Sequence, residues 1–510
     1  MNRKLDFPTL LLFTALLFGV IIRFYPAITN GFPLNDGGMF YTMVQDLKEN
    51  GYALPQFTTY NHADIPFAYP PLGFYIASLF GFLLDSDLTV FLYLPALINT
   101  LSILAFYFFS KEILDSRITA SLATIIYALS ARAFLWQIMG GGITRAFGMF
   151  FLLLMLWQAI RLFKNYQHKH LILAILFGAG AVTSHPQTAL HAALGGLLIF
   201  LFYGRNKQGI ISAILTGVGV ALLSAPWWLT TFSRHGIEPF ISAGQTSQRT
   251  LESYISLIQF NGLGDYLFIP TLLLACVGIY LFIKEKNFFF ITWILLAYLI
   301  DPRGADGIAL LPFSMLAGAG LLKISERLNN HQFSSPFINS KVHILLIFLI
   351  LYLFMGGSIF DFQLVNTSLK SGDLEMIAWV NKNVDEDKTF LLATGREFSM
   401  TDPLQEWFPS LTNQYSRTTM QGLEWTLSED FFPYYEQLTH FQKCADVGCV
   451  AYWALKNNVE YDYLIILIPA ENEIGELVDS LRSLGISVRS SALHLLIYES
   501  EHTMVFEWKK

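Results

Sequence analysis

The sequence predicts a polytopic α-helical membrane protein, with about eleven spanning helices followed by a C-terminal extracytoplasmic α/β domain. Three observations carry this. Apolar runs of roughly 20 residues, the length that crosses a hydrocarbon core as a helix, recur until about residue 360. Only 14% of the 510 residues are charged, against 54% hydrophobic, where soluble domains carry about 25% charge. Finally, the cations alternate from one chain break to the next. Arg3, Lys4, Lys111, Arg117, Arg161, Lys164, Lys169, Arg205, Lys207, Lys284, Lys286, Lys323, Arg327 and Lys341 fall in every second break. The intervening breaks hold chiefly Arg132, Arg145, Arg234, Arg249 and Arg303. That asymmetry predicts a cytoplasmic N-terminus, and an odd number of crossings then places the C-terminal domain outside. Net charge is −7.

The runs are continuous rather than alternating, so helices are expected and not a barrel. The expected spans are 8–27, 88–109, 118–135, 144–163, 171–187, 190–203, 209–228, 265–283, 287–300, 305–322 and 342–357. Residues 1–360 then form a transmembrane domain with long external loops at 28–87 and 229–264, and 361–510 form the soluble domain. The basic, apolar start of the chain lacks an A-x-A cleavage site and reads as an uncleaved first span.

Within the first loop, Phe40, Met43, Val44 and Leu47 fall at i, i+3, i+4 and i+7, with Gln45, Asp46, Lys48 and Glu49 opposite. This predicts an amphipathic helix over 38–50, stopped at Gly51 and lying along the membrane interface. Tyr69-Pro70-Pro71-Leu72 breaks the chain before a second apolar helix, 72–84. In the C-terminal region, helices are expected at 373–383 and 471–484, and strands at 389–393, 463–468 and 486–498. Cys444 and Cys449, with four residues between them, are either a disulfide or two unrelated thiols. Cys276 is expected to pack in its apolar run. Pro226-Trp227-Trp228 reads as an interfacial anchor.

Asn35-Asp36-Gly37-Gly38 follows the first span. It can be a helix cap and a turn. Equally, Asp36 can serve as a general base on an acceptor hydroxyl, or as a ligand for a divalent cation. His62 and Asp64, two residues apart, are candidate partners for such a metal, against the reading of an ordinary loop pair. His185 and His191 are read as hydrogen-bonded structural histidines. Glu406-Trp407-Phe408-Pro409 and Gln421-Gly422-Leu423-Glu424-Trp425 either contact an acceptor or form core and turns.

The apolar first span, acidic residue, amphipathic helix ending at Gly51 and Tyr69-Pro70-Pro71-Leu72 element together resemble the first external loop of the GT-C membrane glycosyltransferases. Trp379-Val380-Asn381-Lys382-Asn383 is similar to the start of the soluble domain in the oligosaccharyltransferase-like branch. The resemblance implies a GT-C-like fold that transfers a sugar or oligosaccharide from a polyprenyl-phosphate-linked donor to a glycan, lipid or protein acceptor. The reaction would take place at the outer face of the cell membrane. It also implies a catalytic Asp36, with Arg145, Arg249, Arg303 and Tyr69 on the substrate. Guanidinium forks suit a departing phosphate. Unlike that branch, Gly140–Arg145 holds no carboxylate, so magnesium or manganese dependence and a metal-independent mechanism both stay open.

Walker A, dinucleotide, HExxH, cysteine-zinc and nucleophile-elbow patterns are absent from the sequence, as are basic patches suited to nucleic acid. The rival readings are a transporter or lipid-carrier flippase, and a non-catalytic membrane scaffold.

Overall fold

A computed structural model of the chain describes residues 6–84, 86–246, 269–329, 340–397 and 399–509. Each expected span overlaps a helix among the described residues, but 118–135 is α-helical only to Leu129, 171–187 breaks at His185, and 265–268 lie outside the described residues. The helices are α1 (Phe7–Asn30), α4 (Asp87–Leu114), α5 (Arg117–Leu129), α6 (Gly142–Asn165), α7 (His168–Ser184), α8 (Pro186–Tyr203), α9 (Lys207–His235), α11 (Ile269–Lys284), α12 (Phe289–Ile300), α13 (Ala305–Asn329) and α14 (Ser340–Val365). Among the described residues, seven helices are long and apolar enough to cross a membrane: α1, α4, α6, α8, α9, α13 and α14. Helices α5, α11 and α12 are apolar but shorter. Two boundaries move. Helix α14 runs on to Val365, past the expected domain limit at 360. Helix α9 runs on to His235, so the second long loop begins later than residue 229; it then forms α10 (Glu238–Gln245).

Lipid tails are as apolar as leucine, so helices in a bilayer associate by close packing and small residues. The Ala317-Gly318-Ala319-Gly320 run of α13 illustrates this. A Cβ at Gly320 would collide with the Leu274 carbonyl of α11, and one at Gly278 with the Leu316 carbonyl of α13. The two backbones touch. Gly278→Val is therefore expected to destabilise the bundle by about 1–3 kcal/mol, read as a lowered melting temperature in detergent. Cys276 faces the other way. It is exposed, which corrects the expectation of a packed thiol, because α11 contacts its neighbour through Thr271, Leu274, Ala275 and Gly278.

The C-terminal domain is a five-stranded sheet, β1 (Thr389–Ala393), β2 (Tyr415–Ser416), β3 (Tyr463–Leu467), β4 (His494–Glu499) and β5 (Thr503–Trp508), in the order β2-β1-β3-β5-β4. The first three strands are parallel and the last two pairings antiparallel. Around it pack α15 (Ser371–Asn383), α16 (Pro403–Thr412), α17 (Phe431–Gln442), α18 (Val447–Lys456) and α19 (Glu476–Arg489). The expected strand at 486–498 is corrected. Ile486–Arg489 completes α19, burying Leu481, Leu484 and Val488 on one helical face, and the strand begins at His494. Cys444 and Cys449 form a disulfide with 5.5 Å between their Cα atoms.

The first loop and the soluble domain share one hydrophobic core. Met39, Phe40, Met43, Val44 and Leu47 of α2 (Gly38–Glu49) pack in the same cluster as Phe74 of α3 (Leu72–Leu84), Trp407, Phe408, Met376 and Val505. Thus α2 is wedged between α3 and α16 rather than laid open on its polar face. Asp46, expected on that polar face, is buried and accepts from the Thr58 and Thr59 hydroxyls, both at 2.6 Å. Trp227 is likewise buried, its indole N–H donating to the Ala68 carbonyl at 3.2 Å. It staples the loop to α9 instead of standing free as an anchor.

Candidate active site

The chain between α1 and α2 is too short to hold itself in place, and other elements fix Leu34, Asn35, Asp36 and Gly37. The Leu34 carbonyl accepts from Gly140 N at 2.9 Å. Asn35 adopts a left-handed φ of 52°, which asparagine tolerates, and its carbonyl accepts from the Trp407 indole at 2.9 Å. Gly37 N donates to Glu406 Oε1 at 2.7 Å. Glycine is required here: Gly37 has φ 120° and a Cβ would sit 2.8 Å from the Gly140 carbonyl carbon. The glycines of Gly140-Gly141-Gly142 therefore serve a close backbone approach.

Asp36 is held between these glycines and the start of α6. Oδ1 accepts from Gly141 N at 2.9 Å and from Arg145 Nη2 at 3.0 Å; Oδ2 accepts from Arg145 Nη1 at 2.8 Å. This is a forked carboxylate–guanidinium pair, with the side chains 13% and 18% exposed, so the pair is dry yet reachable. The carboxylate has about four lone-pair sites, and one on Oδ2 is left for a further donor. Arg145 is aimed by its Nε, which donates to the Trp136 carbonyl at 2.7 Å, and lies 5.6 Å from the Trp136 ring centre.

Glu406 is a residue that the sequence left open between an acceptor contact and a core or turn position. It lies on the first turns of α16, is buried, and reaches back to the neighbour of Asp36. Burial first, and then the negative charge of Asp36, push its carboxyl up to about 8, against the Gly37 hydrogen bond and Arg145. Its only sequence signal is a charged residue set among Pro403, Leu404, Trp407, Phe408 and Pro409.

Around the carboxylates stands an aromatic wall. Tyr69 packs against Phe40 at 4.6 Å, Trp425 at 5.8 Å and His185 at 6.2 Å between ring centres, and its hydroxyl faces Thr144 Oγ1 at 3.5 Å. Burial raises its phenol to about 12, keeping it a neutral donor. Half-buried Glu424 is raised mainly by burial and lowered in part by Arg303. Arg303 itself is exposed, and Nη1 lies 3.5 Å from Thr246 Oγ1. Asp301, two residues before it, accepts from Gly304 N at 3.2 Å and lies 3.1 Å from His191 Nε2. His185 caps α8 through Thr188 N. Both histidines are hydrogen-bonded, as expected.

The structure thus brings Asp36, Arg145 and Tyr69 together, with Arg303 at the margin. Arg249 lies outside the described residues. His62 and Asp64 are not brought to Asp36. His62 Nε2 lies 2.9 Å from the Asn413 carbonyl, and no group of three or more His, Cys, Asp or Glu able to hold a metal occurs among the described residues. Asp36 takes a guanidinium as its counter-ion instead.

Residues 68–229 match the dolichyl-phosphate-mannose-protein mannosyltransferase family. Among solved structures, ArnT from Cupriavidus metallidurans bound to undecaprenyl phosphate is similar, with TM-score 0.56 and 12% identity over 96% of this chain and 97% of that one. A mutant form of arabinofuranosyltransferase AftD from Mycobacteria gives TM-score 0.61 and 14% identity over 99% of this chain and 42% of that one. Both neighbours are GT-C glycosyltransferases. The chain has the GT-C fold. It is a multi-pass membrane protein. No curated protein matches it by sequence. The chain spans about two fifths of the AftD length. The matched family segment contains Tyr69, Arg145 and the histidines, while Asp36, Arg303 and Glu406 lie outside it.

Proposed function

We propose that this protein transfers a sugar from a polyprenyl-phosphate-linked donor to an acceptor at the outer face of the cell membrane. Asp36 acts as the base and Arg145 as the phosphate-binding group. One observation carries the reading: the Asp36–Arg145 fork sits where the bundle, the first loop and the soluble domain meet. Such a reaction needs a nucleophile relieved of its proton and a leaving phosphate stabilised by cations in a poorly hydrated site. A guanidinium fork fits a phosphate as well as a carboxylate. Donor phosphate arriving at Arg145 competes with Asp36 for it, leaving Asp36 free to accept a proton from an acceptor hydroxyl. Arg303 and Arg249 are the further cations proposed for the phosphate, and Tyr69 a neutral donor beside it.

The bond broken is between the anomeric carbon and the phosphate oxygen, and the bond formed joins that carbon to the acceptor oxygen. The acceptor proton goes to Asp36, and the polyprenyl phosphate leaves as an anion. Outer-face orientation is supported by the Cys444–Cys449 disulfide, which persists in oxidising compartments. It is supported also by cations gathered at the opposite end of the bundle, where Arg117 pairs with Asp6 and Lys164 and Arg161 with Glu112. Purified protein in lipid, given a radiolabelled undecaprenyl-phosphate sugar, should pass label to a membrane-extract acceptor. Loss of transfer in Asp36→Asn supports the reading; unchanged transfer removes Asp36 from the mechanism.

A further inference from the structure

One large cavity among the described residues is not part of the Asp36 centre. It is an open groove of about 710 Å³ between α2, the segment 57–64 and the end of α16. Thr42, Gln45, Glu49, Phe57, Asp64 and Asn413 line it. Its position is set by the same helix pair that carries the active site. Ser410, also in the lining, lies one turn after Glu406 on α16 and so on the same face, and Thr42 Oγ1 donates to Ser410 Oγ at 3.0 Å. The groove therefore begins about one helical turn from the carboxylates.

Its walls are fixed rather than loose. Asn61 donates to the Ser416 carbonyl and accepts from Ser416 N, at 3.0 and 2.7 Å. The Tyr60 hydroxyl donates to the Glu406 carbonyl at 2.8 Å. Arg234 and His235 at the end of α9 hold the Leu54, Pro55 and Gln56 carbonyls at 2.7–2.9 Å. His62, Asp64 and Asn413 all adopt left-handed φ angles of 48–52°, which aim this part of the chain inward. The Asn61-His62-Ala63-Asp64 pattern, considered above for metal, accounts for this wall.

The chemistry of the lining is a mixture of amides, hydroxyls, carboxylates and the His62 imidazole beside one apolar ring, Phe57, which is 41% exposed. Such a set hydrogen-bonds vicinal hydroxyls and covers the apolar face of a sugar ring. No lysine or arginine lines it, so phosphate- or carboxylate-rich polymers meet Asp46, Glu49 and Asp64 without a lysine or arginine to pair with. We propose that this groove binds the acceptor, a neutral or amine-bearing saccharide chain, and delivers its end to the centre described above. The inference rests on the transferase reading only for the word acceptor.

Direct binding to detergent-solubilised full-length protein tests it. Chitopentaose and its amine-bearing glucosamine pentamer should bind, the pentamer more tightly at low salt with the difference closing as salt rises. A hyaluronan hexasaccharide should bind at least tenfold more weakly than either. Glu49→Lys and Phe57→Ala, both at exposed positions, should each weaken chitopentaose binding about tenfold or more. Equal binding of hyaluronan, no saccharide binding, or Glu49→Lys and Phe57→Ala without effect overturns the groove. A protein that binds chitopentaose through the groove yet transfers no sugar keeps this inference and overturns the transferase reading. Transfer with no groove binding does the reverse.

Discussion

Asp36→Asn is expected to lower sugar transfer by about 10²–10⁴-fold, the range over which removal of a general base is felt. The amide keeps the shape of the carboxylate and can still accept from Gly141 N. It loses the charge, however, and turns an NH₂ toward the Arg145 donors. Breaking one partner of a buried pair costs about 3–5 kcal/mol, discounted here because both side chains keep some exposure. Lost activity alone would therefore not separate a base from a structural staple. The double variant Asp36→Asn with Arg145→Gln does separate them. It removes both charges, so much of the stability should return relative to the single variants, as a double-mutant cycle reads. Transfer should stay absent. Recovery of transfer along with stability would make the pair a staple and leave the base elsewhere.

The second large effect concerns Glu406 and pH. Its folded-state carboxyl is raised to about 8 from an ordinary value of 4.5, with burial the largest cause and Asp36 the next. The folded state then holds a proton that the unfolded state has lost across this window. Stability attributable to this group is complete below pH 4.5 and is lost as pH rises towards 8, by a few kcal/mol in order of magnitude. Melting temperature should fall over that range in the wild-type protein, and Glu406→Gln should flatten the fall. Activity should follow the same sign. Above pH 8 a second anion appears beside Asp36, facing the place proposed for the donor phosphate, so transfer declines. Glu406→Gln should retain transfer at neutral pH and lose the alkaline inflection. An inflection that persists in Glu406→Gln assigns it to another group.

Much of this architecture was legible because it is local. Each apolar run is its own helix, and the 3.6-residue spacing of Phe40, Met43, Val44 and Leu47 is enough to draw α2. Asp36 and Arg145 could be singled out because polar residues at the ends of apolar runs are few. Glu406 could not, since its meaning comes from a contact with Gly37 that spans 369 residues. Asp46 differs for a related reason: its spacing puts it on the polar face of α2, but Thr58 and Thr59 cover it. Ile486–Arg489 misled because a short β-branched run fits a strand or the buried side of a helix equally well. The helix won through packing of Leu484 and Val488.

That long separation has a consequence for biogenesis. At about 5–20 residues per second, the ribosome reaches Glu406 and Trp407 roughly 20–75 seconds after it has finished Asn35 and Gly37. Throughout that interval the first loop lacks two of the donors and acceptors that pin its backbone, and Met39 and Phe40 lack their cover. The nascent chain therefore carries an unpinned first loop until the region around Glu406 emerges, and a message truncated before that point yields a helical bundle whose Asn35 and Gly37 lack those two hydrogen bonds.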